Sequence, residues 1–181
     1  MWSWNVSSIW DELMDLRTAF VEGMSRAATF VAVVTTDGPG GRAGVTISSL
    51  TSVSADGDQP SLLACIHHLS PAAAAIMKNR AFTANLLAED QQPLSDLFAG
   101  RGGEDRGARF DRVNWQPGAL GQPLLQGATV TFECRLATSL LWESHHIMVG
   151  RVAQVTLAET PHALLYGQRG YRRAVGFNPE G

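Results

Sequence analysis

Three groups of residues have types and spacings suited to holding a polar ligand. The run Thr46-Ile47-Ser48-Ser49-Leu50-Thr51-Ser52 gathers small hydroxyls and backbone amides where a bulky ligand can approach closely. The same composition also suits a Ser/Thr-rich strand edge with no ligand at all. Ser70-Pro71 precedes an alanine run. A capping serine followed by proline predicts a helix start, where free amides and the positive end of the helix dipole favour a phosphate. Most capping serines only cap. His145 follows Trp142-Glu143-Ser144 in a turn, and a turn histidine is ordinarily just solvated, although it titrates near neutral pH.

Other catalytic signatures are missing. There is no dinucleotide-type glycine loop, no serine elbow and no histidine pair at metal spacing on a helix. Cys65 and Cys134 lie far apart, without the short paired spacing of a zinc site or redox dithiol. Both are read as reduced and mostly buried, and no metal is expected.

These residues need a scaffold, and the rest of the chain describes one. With 181 residues, 45% hydrophobic and 17% charged, the expectation is a single domain over the full length, 1–181, with a helix at about 8–24 and a barrel at about 25–175. Apolar residues at helical spacing after Ser8 support that helix. Thr29–Thr36, rich in β-branched residues and followed by Asp37-Gly38-Pro39-Gly40-Gly41, reads as strand then turn. Val45–Ser48 and Thr51–Ser54 read as short extended pieces, and the continuous apolar run Ser61–Ile66 as a buried strand ending at His67. A helix follows from Ser70, then a strand at Phe82–Leu87, a short helix at Gln91–Ala99 and a mobile glycine-rich loop at Gly100–Gly107. Ala128–Thr138 and Ile147–Leu157 form a long hairpin around the 142–146 turn, and the tail from Ala163 adds a last short element. Many strands, few helices and no βαβ alternation point to a small, mainly β antiparallel barrel.

The net charge of −3 and the lack of a basic stripe argue against a nucleic-acid partner. The longest apolar stretch, Phe30–Val34, is far short of a bilayer span, and no secretion signal is read at Met1-Trp2-Ser3-Trp4-Asn5. The cytoplasm is the expected location.

The order of the pieces carries more than any one of them. Val33-Val34-Thr35-Thr36, Gly44–Ser54, Leu63–Ile66 with Ser70, Asn85-Leu86-Leu87, Phe98-Ala99-Gly100 and Arg109-Phe110 follow one another in a pattern that resembles the flavin reductase-like family. Gly121–Leu125, Gly127-Ala128, Glu133-Cys134, Ser144-His145 and Leu164-Leu165-Tyr166 continue it, so the resemblance spans roughly Gly23 to Arg173. Within the family, the chain is similar to the small reductase components of two-component monooxygenases.

The resemblance implies an FMN-binding split β-barrel with Greek-key-like order, assembled as a homodimer. It implies FMN or FAD bound near the subunit interface, with NADH or NADPH stacked over it and a partner monooxygenase receiving the reduced flavin. Carried over by position, Thr46, Ile47, Ser48, Ser49, Leu50, Ser52 and Val53 line the flavin, Cys65 and Ile66 run beside its ring, and Ser70 meets its phosphate. Asn85 and Leu86 fall on a cofactor-lining strand; Arg109 is either a phosphate contact of flavin or pyridine nucleotide or a solvated loop arginine, and Tyr166 and Tyr171 either face the nicotinamide or pack. His145 matches the family's turn histidine beside nicotinamide and flavin and is the expected catalytic residue, although Glu143-Ser144 replaces the usual Gly-Asp before it. A non-catalytic flavin binder, a dimer that has lost its ligand site, and an oxidoreductase using another acceptor are the alternatives.

Overall fold

The β-branched run after residue 29 forms strands because such side chains pack well on a pleated surface. In the computed structural model, which describes residues 6–101, 103, 108–159 and 162–176 and their side chains from residue 15 onward, β1 is Thr29–Phe30 and β2 is Ala32–Thr36. The expected cap at Ser8 and most of the 100–107 loop lie outside those described residues and side chains. Helix α1, Val6–Arg26, precedes the strands. β2 is buried along its whole length because both of its faces are covered. Ala32 and Val34 join one apolar cluster with Ala64, Ile76, Phe82 and Met148, while Val31 and Val33 join another with Leu87, Phe98, Phe110 and Leu125.

Eleven further elements complete the frame up to the C-terminal sheet. They are β3 Ala43–Ile47, β4 Thr51–Ser54, β5 Ser61–His67, α2 Pro71–Asn79, β6 Ala81–Leu86, α3 Gln92–Ala99, α4 Ala108–Asp111, β7 Trp115–Pro117, β8 Pro123–Leu125, β9 Val130–Trp142 and β10 His145–Leu157. Seven strands form one antiparallel sheet in the order β3-β2-β6-β9-β10-β5-β4. β11 Leu164–Gly167 and β12 Gly170–Arg173 join β1 in a second sheet. The seven-stranded sheet curls so that its edge strand β3 lies against β5, and Ser48–Leu50 crosses from that edge to the opposite edge strand β4. This is a split β-barrel.

Two differences from the sequence reading have simple causes. Ser61–Ile66 alternates between buried Leu62, Ala64 and Ile66 and half-buried Ser61, Leu63 and Cys65, because only one face of β5 meets the core. The 142–146 turn is shorter than expected. Trp142 already pairs with His145, and a left-handed Glu143 with φ 49° lets Glu143-Ser144 close the hairpin alone.

Close packing fixes how the helices sit. A Cβ on Gly44 would come 2.9 Å from Cε1 of Phe98, so the absence of a side chain there lets α3 press its aromatic ring onto β3. Inside the barrel, a Cβ on Gly150 would lie 2.5 Å from Cζ of the fully buried Phe82.

Candidate active site

The hydroxyl run is placed by the curl of the sheet. Ser49 occupies the gap between β3 and β5, where its Oγ accepts from Cys65 N–H at 3.2 Å and donates to Cys65 C=O at 2.9 Å. It stitches backbone that no strand partner reaches. Thr46 Oγ1 donates to Ser95 C=O at 2.7 Å and ties β3 to α3. The Thr46 and Ser49 hydroxyls are therefore committed to the protein. Those of Ser48, Ser52 and Ser70 carry no side-chain hydrogen bond among the described residues.

Ser70 occupies the position expected of a cap, with extended backbone ahead of Pro71, yet its hydroxyl makes no capping bond. Instead it faces a cavity of about 410 Å³ bounded by Gly44, Val45, Phe98, Gly100, Arg42 and Arg109. Arg109 Nε is buried there without a hydrogen-bond partner. Two arginines and a serine hydroxyl without a capping bond on one cavity match this end of the trough to an anion.

The trough continues along β3. A second recess of about 180 Å³ shares Ala99 with the first and is bounded by Thr46, Ile47, Ser48, Arg101, Tyr166 and Tyr171. The two tyrosine rings meet edge to face, with centroids 5.4 Å apart. Tyr171 Oη lies 2.7 Å from Asp96 Oδ1 and 2.9 Å from Ser95 Oγ. Burial raises the Tyr171 phenol above its usual range, so it stays a neutral donor. Arg101 Nη1 donates to the same Asp96 oxygen at 2.9 Å, and its pKa is raised above the ordinary value, first by the neighbouring Tyr166 hydroxyl. One wall of the recess is thus aromatic and hydroxyl-rich, and a cation stands at its mouth.

His145 starts β10 directly opposite His67, the last residue of β5. His67 Nδ1 accepts from Leu69 N–H at 3.1 Å, and His67 C=O accepts from Ser70 N–H at 2.9 Å. The His67 turn therefore leads straight into the start of α2. Ser144 C=O receives both His68 N–H at 2.9 Å and His68 Nδ1–H at 3.0 Å, so the β9–β10 turn is clamped to the end of β5. Ser144 Oγ lies 2.9 Å from His145 Nδ1 and orients the ring. His146 bonds Ser139 at 3.2 Å, away from this cluster.

Some expected site residues have other tasks. Asn85 is fully buried: Nδ2 donates to Val33 C=O at 2.9 Å and lies 3.2 Å from Thr35 Oγ1, while Oδ1 accepts Leu125 N–H at 2.9 Å. Its amide latches β8 onto the sheet, and the side chain does not line the β3 trough. Ile66 and Leu50 are core residues. Leu50, Leu86 and Ser52 line a separate apolar recess with Phe30, Phe132 and Val152. Val53 is exposed in a bulge between the Ser52 and Ser54 pairings of the edge strand. Cys65 stays half-buried beside the Ser49 stitch.

Sequence reasoning did not single out Arg42, read Asp37 only as a turn residue, and gave Phe98 no site role beyond its place in the resemblance. A glycine-rich turn that ends in a lone arginine just before the hydroxyl strand was the available signal for Arg42.

A family model described as "flavin reductase like domain" matches residues 24–174. An FMN reductase (NADH) of Methylorubrum extorquens, RutF 1, is 41% identical over 154 residues, covering 85% of this chain and 75% of the relative. Among solved structures, BorF, the flavin reductase component of a bacterial two-component tryptophan halogenase, is 33% identical with a TM-score of 0.78, covering 87% of this chain and 97% of BorF. SgcE6, the NADH:FAD oxidoreductase of Streptomyces globisporus C-1027, is 26% identical with a TM-score of 0.79 over 91% of each chain.

Proposed function

Because this chain belongs to the flavin reductase-like family, we propose that its β3 trough binds FMN or FAD and that the chain reduces the flavin with NADH or NADPH for a partner monooxygenase. The observation that carries the site assignment is that Arg109 and Ser70, whose hydroxyl makes no capping bond, line one cavity at the start of α2. A phosphate in that cavity would meet the serine hydroxyl and the positive charge of the guanidinium. The flavin ring would then lie farther along β3 and beside β5, bordered by Ser48, the Thr46 and Ile47 backbone, Cys65 and Tyr166.

The flavin supplies the hydride-accepting ring, and the nicotinamide supplies the hydride. The chain's own residues position both. Ser70 and Arg109 anchor the charged end, the stitched Ser49–Cys65 backbone keeps the β3–β5 edge rigid, and His145 orients the nicotinamide. Holding two planar reactants in a near-attack arrangement accounts for a large share of the rate without an acid–base pair. The Tyr171 phenol contributes a neutral, partly apolar wall.

We further propose one domain, a homodimer and a cytoplasmic location. Exposed Leu16, Phe20 and Met24 on α1, and Leu140, Leu141 and Trp142 at the hairpin end, offer apolar surface for a second copy. The two free cysteines suit a reducing compartment. Light scattering on the purified chain tests the dimer. NADH and NADPH oxidation, each with FMN and FAD, tests the activity: flavin-dependent turnover supports it, and no oxidation in all four combinations refutes it.

A further inference from the structure

The cavity holding Ser70 and Arg109 has a second arginine on its rim. Arg42 Nε donates to Asp37 Oδ2 at 2.7 Å, and its guanidinium carbon stands 5.7 Å from the centre of the Phe110 ring. Asp37 is itself immobilised. Its N–H donates to Gln122 Oε1 at 2.9 Å, its C=O accepts from Gln122 Nε2 at 3.1 Å, and its Oδ1 accepts Gly38 N–H at 2.9 Å. Gln122 is 5% exposed, so the anchor behind the aspartate is part of the packed interior.

This arrangement leaves a specific part of Arg42 available. The carboxylate takes the Nε edge and the aromatic ring faces the guanidinium, so the terminal amino groups point to neither partner. Among the described residues they carry no further hydrogen bond. A side chain this exposed ordinarily samples many rotamers. Here one edge is tethered and one face is packed, which reduces the entropy lost when the remaining edge grips a ligand.

We propose that Arg42 is a specificity-determining residue that reads a phosphomonoester, so that the chain distinguishes phosphorylated flavin from riboflavin. The proposal rests on the β3 trough being the flavin site. Two guanidinium groups and the Ser70 hydroxyl, at the positive end of α2, together match the several acceptor oxygens and the double negative charge of a terminal phosphate. Riboflavin, which ends in a neutral hydroxyl, gains none of the charge-assisted part. Arginine suits the position better than lysine because only a planar fork can donate to Asp37 through Nε and present its terminal groups at once.

The test compares KM for FMN and for riboflavin, at saturating reduced nicotinamide, in the wild-type chain, R42A and R42K. Losing a charge-assisted hydrogen bond of the usual strength raises KM for FMN in R42A about tenfold or more. KM for riboflavin stays within about twofold, so the preference for FMN collapses. R42K keeps the charge without the fork and recovers only part of the preference. Unchanged discrimination in R42A overturns the proposal, as does equal damage with both flavins, which would mark Arg42 as structural. Riboflavin turnover in R42A also reports that the variant has folded. A wild-type chain that reduces neither flavin removes the underlying reading of the trough, and the Arg42 assignment with it.

Discussion

His145 and His67 face each other as paired residues of β10 and β5, with ring centroids 5.1 Å apart at an interplanar angle of 78°. His67 also stacks on His68 at 4.9 Å, and His68 grips the Ser144 carbonyl. The His145 ring is therefore held by its own strand, by a neighbouring ring and by the turn before it. Because these supports do not involve the trough, replacing His145 by alanine should lower kcat about tenfold or more and leave the flavin dissociation constant within about twofold. Steady-state turnover together with a flavin titration measures both. Unchanged kcat would remove His145 from the reaction.

Asn85→Ala separates structure from binding in the opposite direction. It leaves the buried Leu125 N–H without its acceptor and Val33 C=O without its side-chain donor. A loss of about 1–3 kcal/mol in unfolding free energy is expected, read from urea denaturation, with flavin affinity of the folded protein unchanged. A selective loss of flavin binding would return Asn85 to the site.

Phe82→Ala tests the barrel interior. The ring is 1% exposed and fills the space above Gly150, so truncation leaves a cavity the neighbouring strands cannot close. The expected cost is about 3–5 kcal/mol. A denaturation midpoint matching the parent would mean that the two sides of the sheet are not packed as described.

Cys134 supplies a pH test. Burial pushes its thiol up to about 12, with Glu133 adding to the effect. The folded thiol is raised above its ordinary value of 9.0, so its contribution to stability is complete below about pH 9 and is lost as the pH climbs toward 12. Iodoacetamide at pH 8 should leave Cys134 unmodified in the native chain and alkylate it in urea, as read by peptide mass spectrometry. Rapid native labelling would show that the interior of β9 is open.

Much of the scaffold was legible from local sequence. The Asp37–Gly41 turn, the Ser70-Pro71 helix start and the β-branched strand at 32–36 each announce themselves within a few residues. What escaped depends on distant partners. Asn85 reads like a cofactor contact until β8 is seen beside it, and Ser49 looks like a free hydroxyl until the curl of the sheet brings Cys65 to it. Arg42 shares its turn with Asp37, but its meaning comes from Phe110 and Ser70, which reach it from distant segments. The covered second face of β2 likewise depends on α3.

The trough along β3 is the claim on which the rest depends, and a crystal structure of the chain soaked with FMN tests it most directly. The phosphate is expected within hydrogen-bond distance of Ser70 and Arg109, with the ring extending past Ser48 toward Cys65 and Tyr166. Ordered FMN in the apolar recess beside Leu50 and Phe132, with the β3 trough left empty, would contradict it.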